Sequence, residues 1–172
     1  MQPLKRAILF ADFAKNLAML SKCEERKVAA VITDKNMSQI YSIGINGGPV
    51  GGIDCMCKLG GKYGCVHAEI NALVKCMSDA EDKIMFVTTS PCISCAAAII
   101  NAPGSFSAVY YLEAWKNTDG LRLLHKAGIT VANLSGYLIR MHEDDEEFIV
   151  PAESIEAFVN GTCDVSRVLD KK

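Results

Sequence analysis

From residue 84 to residue 131, apolar runs and helical patterns alternate so tightly that few architectures accommodate them. Residues 84–88 form an uninterrupted run of the kind found in strands covered on both faces. A helix is predicted to begin near Pro91, a residue tolerated at helix starts, and to run through Ile100. Residues 109–112 read as the next strand, 121–126 as a helix stopped by Gly128, and 129–131 as a last strand. That β-α-β-α-β order requires crossovers, so neighbouring strands run parallel and helices cover both faces of the sheet.

Upstream, residues 4–20 read as an amphipathic helix, with Leu9, Phe13, Leu17 and Leu20 at helical spacing. Residues 28–32 and 40–43 are short β-rich runs joined by Asp34, Lys35 and Asn36, a hairpin signal. A glycine-rich loop is expected over 44–64, carrying Cys55 and Cys57. Ile70, Leu73, Val74 and Met77 then keep i, i+3, i+4, i+7 spacing, which sets His67 and Glu69 at the N-terminus of a helix. No repeat or linker interrupts this pattern before residue 135. Beyond it come an acidic run from Glu143 to Glu147, Pro151 and a short helical pattern over 152–159. The expected organisation is therefore one catalytic-size domain over 1–135 and an acidic extension over 136–172.

The length of 172 residues suits one domain with a real core, and an apolar half with 22% charged residues excludes a disordered chain. A net charge of −2 excludes a strongly basic nucleic-acid coat. Because five acids sit in the 143–147 run, the remainder is mildly basic, which suits a small anionic ligand. No stretch approaches the roughly 18 apolar residues of a membrane span. The apolar run 7–11 is cut short by Asp12, unlike a signal peptide. A cytoplasmic protein is expected, so the eight cysteines read as metal ligands, nucleophiles or buried thiols rather than disulfides.

Two fragments carry chemistry: Val66-His67-Ala68-Glu69 and Ser90-Pro91-Cys92-Ile93-Ser94-Cys95. A C-x-x-C at a helix start puts both sulfurs on one side, about a turn apart. His67 supplies a third ligand from another helix start, and three N/S ligands make an open zinc site whose fourth position is left for water. Both helix N-termini favour the negative thiolates. Glu69, two residues from His67, is placed to take a proton from that water. In order, each followed by a helical pattern, the fragments carry the H-x-E and P-C-x-x-C signature of zinc-dependent deaminases. A closed structural site with Cys76 as fourth ligand would not need Glu69, and a thioredoxin-like dithiol would leave His67 and Glu69 without work.

Over roughly residues 5–135 the chain resembles the deoxycytidylate (dCMP) deaminase branch of the cytidine deaminase superfamily. The matching pieces are Ser21-Lys22-Cys23 ahead of Val28-Ala29-Ala30-Val31-Ile32, the loop Gly44-Ile45-Asn46-Gly47-Gly48-Pro49, His67-Ala68-Glu69-Ile70-Asn71-Ala72-Leu73, and Ser90-Pro91-Cys92. The resemblance implies a three-layer α/β/α fold around a five-stranded mixed sheet and hydrolysis of dCMP to dUMP and ammonia. It implies a catalytic zinc on His67, Cys92 and Cys95, Glu69 as proton shuttle, and Asn46 against the sugar. The N–H of Ala68 and a carbonyl near Ser90 are expected to orient the base. Three departures stand out: Ala29 replaces the usual glycine, Ile45 the tyrosine of the G-Y-N-G loop, and Trp115 a tyrosine after the fourth strand. Trp115 is read as a pocket residue because it follows the carboxyl end of a strand, where open α/β sheets place ligands. Arg26 and Lys116 are the phosphate candidates.

Cys23, Cys55, Cys57 and Cys65 form a second group. Some viral dCMP deaminases are similar in holding a structural zinc at corresponding places, and four thiolates would close a tetrahedral site. Buried or free cysteines are the alternative, as expected for Cys76 and Cys163. The resemblance also implies an allosteric homo-oligomer, hexamer or tetramer, binding dCTP as activator and dTTP as inhibitor, with Mg2+, at the loop holding Gly44, Gly47, Gly48 and Gly51. Competing readings are deamination of dCTP or deoxycytidine, a tRNA adenosine deaminase, a nucleotide sensor without turnover, and a zinc-stabilised scaffold. The tRNA enzymes usually carry Glu where this chain has Ser90 and tend to need a basic face, so no nucleic-acid partner is expected. A sensor would have no use for Glu69.

Overall fold

The computed structural model describes residues 3–49, 57 and 64–136. Among the described residues nine elements follow one another: α1 (Pro3–Ala18), β1 (Ala29–Thr33), β2 (Ile40–Ile45), α2 (Ala68–Lys75), β3 (Lys83–Thr89), α3 (Ile93–Ile100), β4 (Phe106–Glu113), α4 (Asp119–Lys126) and β5 (Thr130–Asn133). The acidic run, the 152–159 pattern, Cys55, Gly51 and Cys163 lie outside the described residues.

The five strands form one mixed sheet in the order β2-β1-β3-β4-β5. β1 pairs antiparallel with both β2 and β3, whereas β3–β4 and β4–β5 are parallel. The apolar run at 84–88 becomes the central β3, buried along its whole length. Its residues alternate between two cores. Ile84 and Phe86 face Leu4, Ala7, Ile8, Ala11 and Ala14 of α1. Met85 and Val87 face Ala68 and Ala72 of α2, Ala96 and Ile99 of α3, and Leu121 and Leu124 of α4. The architecture is thus the three-layer α/β/α arrangement expected, with one helix on one face and three on the other.

Two helix faces differ from expectation. On α1, Leu9 and Phe13 are exposed, Leu20 lies beyond the helix, and the buried stripe is Leu4-Ala7-Ile8-Ala11-Ala14. On α2, Val74 is exposed, Met77 lies beyond the helix and is exposed, and the buried face is Ala68, Glu69 and Ala72. In both cases alanine wins because it lets a helix approach the sheet closely, which a leucine stripe cannot. The glycine-rich loop also starts later than expected, because Gly44 belongs to β2. There a side chain would overlap the backbone of Ala68 and Ala72. The same contact is fastened by Ser42 Oγ, which donates to Ala72 O at 2.8 Å, and by Asn71 Nδ2, which donates to Ile45 O at 2.8 Å.

The hairpin between β1 and β2 turns on Asp34, whose carboxylate accepts from the backbone N–H groups of Asn36, Ser38 and Gln39. Partial burial would raise its carboxyl, but these hydrogen bonds prevail and hold it below the usual carboxylate range. At the opposite end of the sheet from the carboxyl end of β3, Lys83 is only 1% exposed. Its ammonium donates to Pro103 O at 2.6 Å, Ala80 O at 2.7 Å and Ser78 O at 3.5 Å, and lies 5.1 Å from the Phe106 ring centroid. It therefore ties together the segments that enter β3 and β4. Lys83→Met is expected to cost about 3 kcal/mol, because the shape is kept but buried carbonyls lose their donor. Chemical denaturation checks this, and a change under about 1 kcal/mol would contradict the assigned role.

Candidate active site and metal centre

α2 and α3 begin at the same end of the sheet, and each begins on a residue with chemistry in its side chain. His67 is the N-cap of α2 and Cys92 the N-cap of α3, both in extended backbone and neither using its side chain to cap its helix. Cys95 follows within the first turn of α3 and is 1% exposed. The N-cap position of His67 is fixed from behind by the paired backbones of Gly47 and Val66, with hydrogen bonds of 2.8 and 3.2 Å.

These placements bring His67 Nδ1 to 3.3 Å from Cys95 Sγ and 3.6 Å from Cys92 Sγ. Donor atoms of a tetrahedral zinc site, bonded at about 2.0–2.3 Å, stand about 3.4–3.8 Å apart, so the three fit one ion. The electrostatics agree. Hydrogen bonds with Cys95 and His67 hold the Cys92 thiol down to about 3. The neighbouring Cys92 and burial push the Cys95 thiol up. The hydrogen bond with Cys92 raises His67 against the effect of burial. The three donors each accept a cation, and a divalent ion would satisfy them together. Glu69 is 4% exposed, and burial pushes its carboxyl above the ordinary range. A carboxyl raised in this way takes up a proton more readily than a surface one.

His67 and Cys92 open onto a cavity of about 620 Å³. It is lined by His67, Ala68, Glu69, Ser90 and Cys92, and also by Asn46, Arg26, Trp115 and Lys116. Val28, Thr89 and Glu25 also line it. The sequence reading missed these three, although Val28 and Thr89 mark the strand ends that flank it. The Asn46 side chain is engaged in the wall: its Oδ1 accepts from Val28 N at 2.8 Å and Ser21 Oγ at 2.7 Å, and its Nδ2 donates to Arg26 O at 2.8 Å. Ser90 Oγ accepts from Trp115 N at 2.7 Å, which ties Trp115 to the exit of β3.

The second cysteine group comes together in part. Cys23, Cys57 and Cys65 offer sulfurs within 4.8 Å of one another, and all three line the same cavity. Asn46 Nδ2 reaches Cys65 Sγ at 4.0 Å. Cys76 is the C-cap of α2, at the far end of the helix from His67, and takes no part in the His67 cluster. Among the four glycines read as regulatory, Gly44 is packed under α2, Gly47 pairs with Val66, and Gly48 follows it in the chain. No helix among the described residues is long and apolar enough to cross a membrane.

Comparison with known proteins adds to this geometry. The cytidine and deoxycytidylate deaminase zinc-binding region matches residues 5–113, which include His67, Glu69, Cys92 and Cys95. ComE operon protein 2 of Bacillus subtilis (strain 168) is 32% identical over 130 residues, and the match spans 67% of this chain and 64% of that protein. The deoxycytidylate deaminase of Enterobacteria phage T4 is 32% identical over 163 residues, 66% of this chain and 82% of the phage protein. The solved dCMP deaminase of cyanophage S-TIM5, in complex with dCMP and dUMP, superposes with a TM-score of 0.69 at 30% identity. That superposition covers 77% of this chain and 98% of the other. With the fold, the donor set and the buried carboxyl in agreement, the chain belongs to the cytidine and deoxycytidylate deaminase family.

Proposed function

We propose that this protein hydrolyses dCMP to dUMP and ammonia, with residues 1–135 as the catalytic unit and 136–172 as an appendage. The observation that carries the reading is a buried Glu69 carboxyl in the cavity lined by His67 and Cys92, whose donor atoms meet that of Cys95. The likeness to phage dCMP deaminases supports the choice of substrate. A zinc ion on the three donors would lower the pKa of a bound water to about neutrality. Glu69 takes a proton from the attacking water and delivers it to N3 of cytosine as the oxygen joins C4. Glu69 then carries the second proton to the departing amine, so ammonia leaves and the uracil carbonyl remains. Ala68 and Ser90 line the base end, Trp115 walls the pocket, and Arg26 with Lys116 supplies positive charge for the phosphate. Asn46 holds the wall together, with its Oδ1 and one amide hydrogen already committed.

Cys23, Cys57 and Cys65, with Cys55, hold a second, structural zinc in this reading, supported by the meeting of three sulfurs. Metal analysis is expected to find two zinc ions per chain. A single one would remove the structural site, and chelation of the catalytic ion is expected to abolish turnover. A cytoplasmic homo-oligomer, tetramer or hexamer, regulated by dCTP and dTTP with Mg2+ completes the proposal.

The test is ammonia release and the ultraviolet change of the base with dCMP, alone and with dCTP and Mg2+. Deoxycytidine, dCTP and an adenosine-bearing tRNA loop serve as rival substrates. Turnover of dCMP supports the assignment, and turnover of a rival alone moves it to that substrate. A hyperbolic dCMP curve indifferent to dCTP would remove the regulation. Zinc binding without turnover of any substrate would make a sensor or scaffold the better reading.

A further inference from the structure

Arg26 and Trp115 line the cavity, and Glu113 joins them through Arg26 to form a small assembly. The Arg26 guanidinium carbon lies 4.8 Å from the Trp115 ring centroid, and Nη1 is 3.6 Å from Glu113 Oε2. The backbones that carry these side chains are fixed. Asn46 Nδ2 donates to Arg26 O, Trp115 N donates to Ser90 Oγ, and Ser90 N donates to Glu113 O at 2.8 Å. The side chains themselves are open to solvent, 41% exposed for Arg26 and 74% for Glu113. The assembly is therefore a charged group on an aromatic platform, held in place by a carboxylate that solvent can easily replace.

We propose that Arg26 reads the 5′-phosphate of the nucleotide and that Glu113 sets the selectivity for phosphorylated over unphosphorylated substrate, by competing with that phosphate for the guanidinium. This rests on the cytosine-nucleotide reading above. A guanidinium over a ring face keeps its in-plane N–H groups for anions, and a phosphate offers more charge and a better-matched fork of oxygens than one distant carboxylate. A phosphate entering the cavity displaces Glu113 and gains Arg26. A nucleoside brings only a hydroxyl at the same place, leaves the Arg26–Glu113 pair intact and gains nothing from it. Glu113 thus lowers the affinity for the phosphorylated substrate while it holds Arg26 ready in the empty site. Trp115 supplies the aromatic platform.

The measurement is the ratio of kcat/KM for dCMP to that for deoxycytidine, in the parent protein, Arg26→Met, Glu113→Gln and the double variant. Thermal unfolding of each guards against loss of fold. The ratio is expected to fall about tenfold or more in Arg26→Met, carried by the KM for dCMP. It is expected to rise about two- to fivefold in Glu113→Gln, as befits an exposed pair. The rise is expected to vanish when Arg26→Met is already present. A Glu113→Gln effect that persists without Arg26 would show direct repulsion of the phosphate and overturn the competition. An Arg26→Met variant with an unaltered ratio would overturn the phosphate assignment. Parent protein that turns over neither substrate takes down the functional reading and this inference together, whereas ordinary turnover with an unmoved ratio sinks the inference alone.

Discussion

Glu69→Gln is expected to lower kcat about 10²–10⁴-fold while zinc content stays at the parental level. The amide keeps the size and most of the hydrogen bonding of the carboxylate, so the buried position stays filled. What it loses is the capacity to carry a proton. In the proposed reaction that capacity is used twice, once toward N3 and once toward the leaving amine. The metal donors lie on His67, Cys92 and Cys95, all of which the change leaves in place, so metal binding is expected to persist. Steady-state ammonia release together with metal analysis checks both halves. Activity within tenfold of the parent would mean that water or another group carries the proton, and it would end the assignment of Glu69.

Gly44→Ala is expected to destabilise the protein by about 3 kcal/mol or more and to reduce kcat about 10²-fold in whatever fraction folds. The added carbon would overlap the carbonyl oxygen of Ala68 and the amide nitrogen of Ala72, which are backbone atoms without rotamers to give. Relief requires α2 to move away from β2. That helix carries Glu69 in its first turn and His67 at its N-cap, so displacement at the sheet becomes displacement of the donor and the proton carrier. Gly47→Ala provides the contrast. A carbon there meets nothing within 4 Å, and stability is expected to stay within about 0.5 kcal/mol. Denaturant unfolding and kcat of the two variants, side by side, separate a packing requirement at Gly44 from a general sensitivity of the loop.

Much of this was legible in the chain because the relevant signals are local. An unbroken apolar run such as 84–88 has few uses other than a central strand, and the H-x-E and P-C-x-x-C fragments fix their own geometry once helices follow them. The helix faces were not legible, for a physical reason. Periodicity finds large apolar residues, while α1 and α2 bury alanines, whose value lies in closeness of approach rather than in hydrophobicity. Lys83 and Gly44 escaped for a related reason. The first is buried because carbonyls from two separate segments converge on it, and the second is small because a helix lies on it. Neither fact is written within a few residues of the position concerned. The Arg26–Glu113 pair joins residues 87 positions apart, so only the sheet brings it together.

His67 and Cys92 open their helices without capping them, and this has a consequence for how such a protein can be improved. Serine or aspartate at these two positions would be the ordinary remedy for an unprotected helix start, worth about 1 kcal/mol each. The remedy is closed here, since it would exchange a metal donor for a better cap. Selection for thermal robustness therefore has to act elsewhere on the surface and core, while these two helix openings persist as fixed weak points that the chemistry itself imposes.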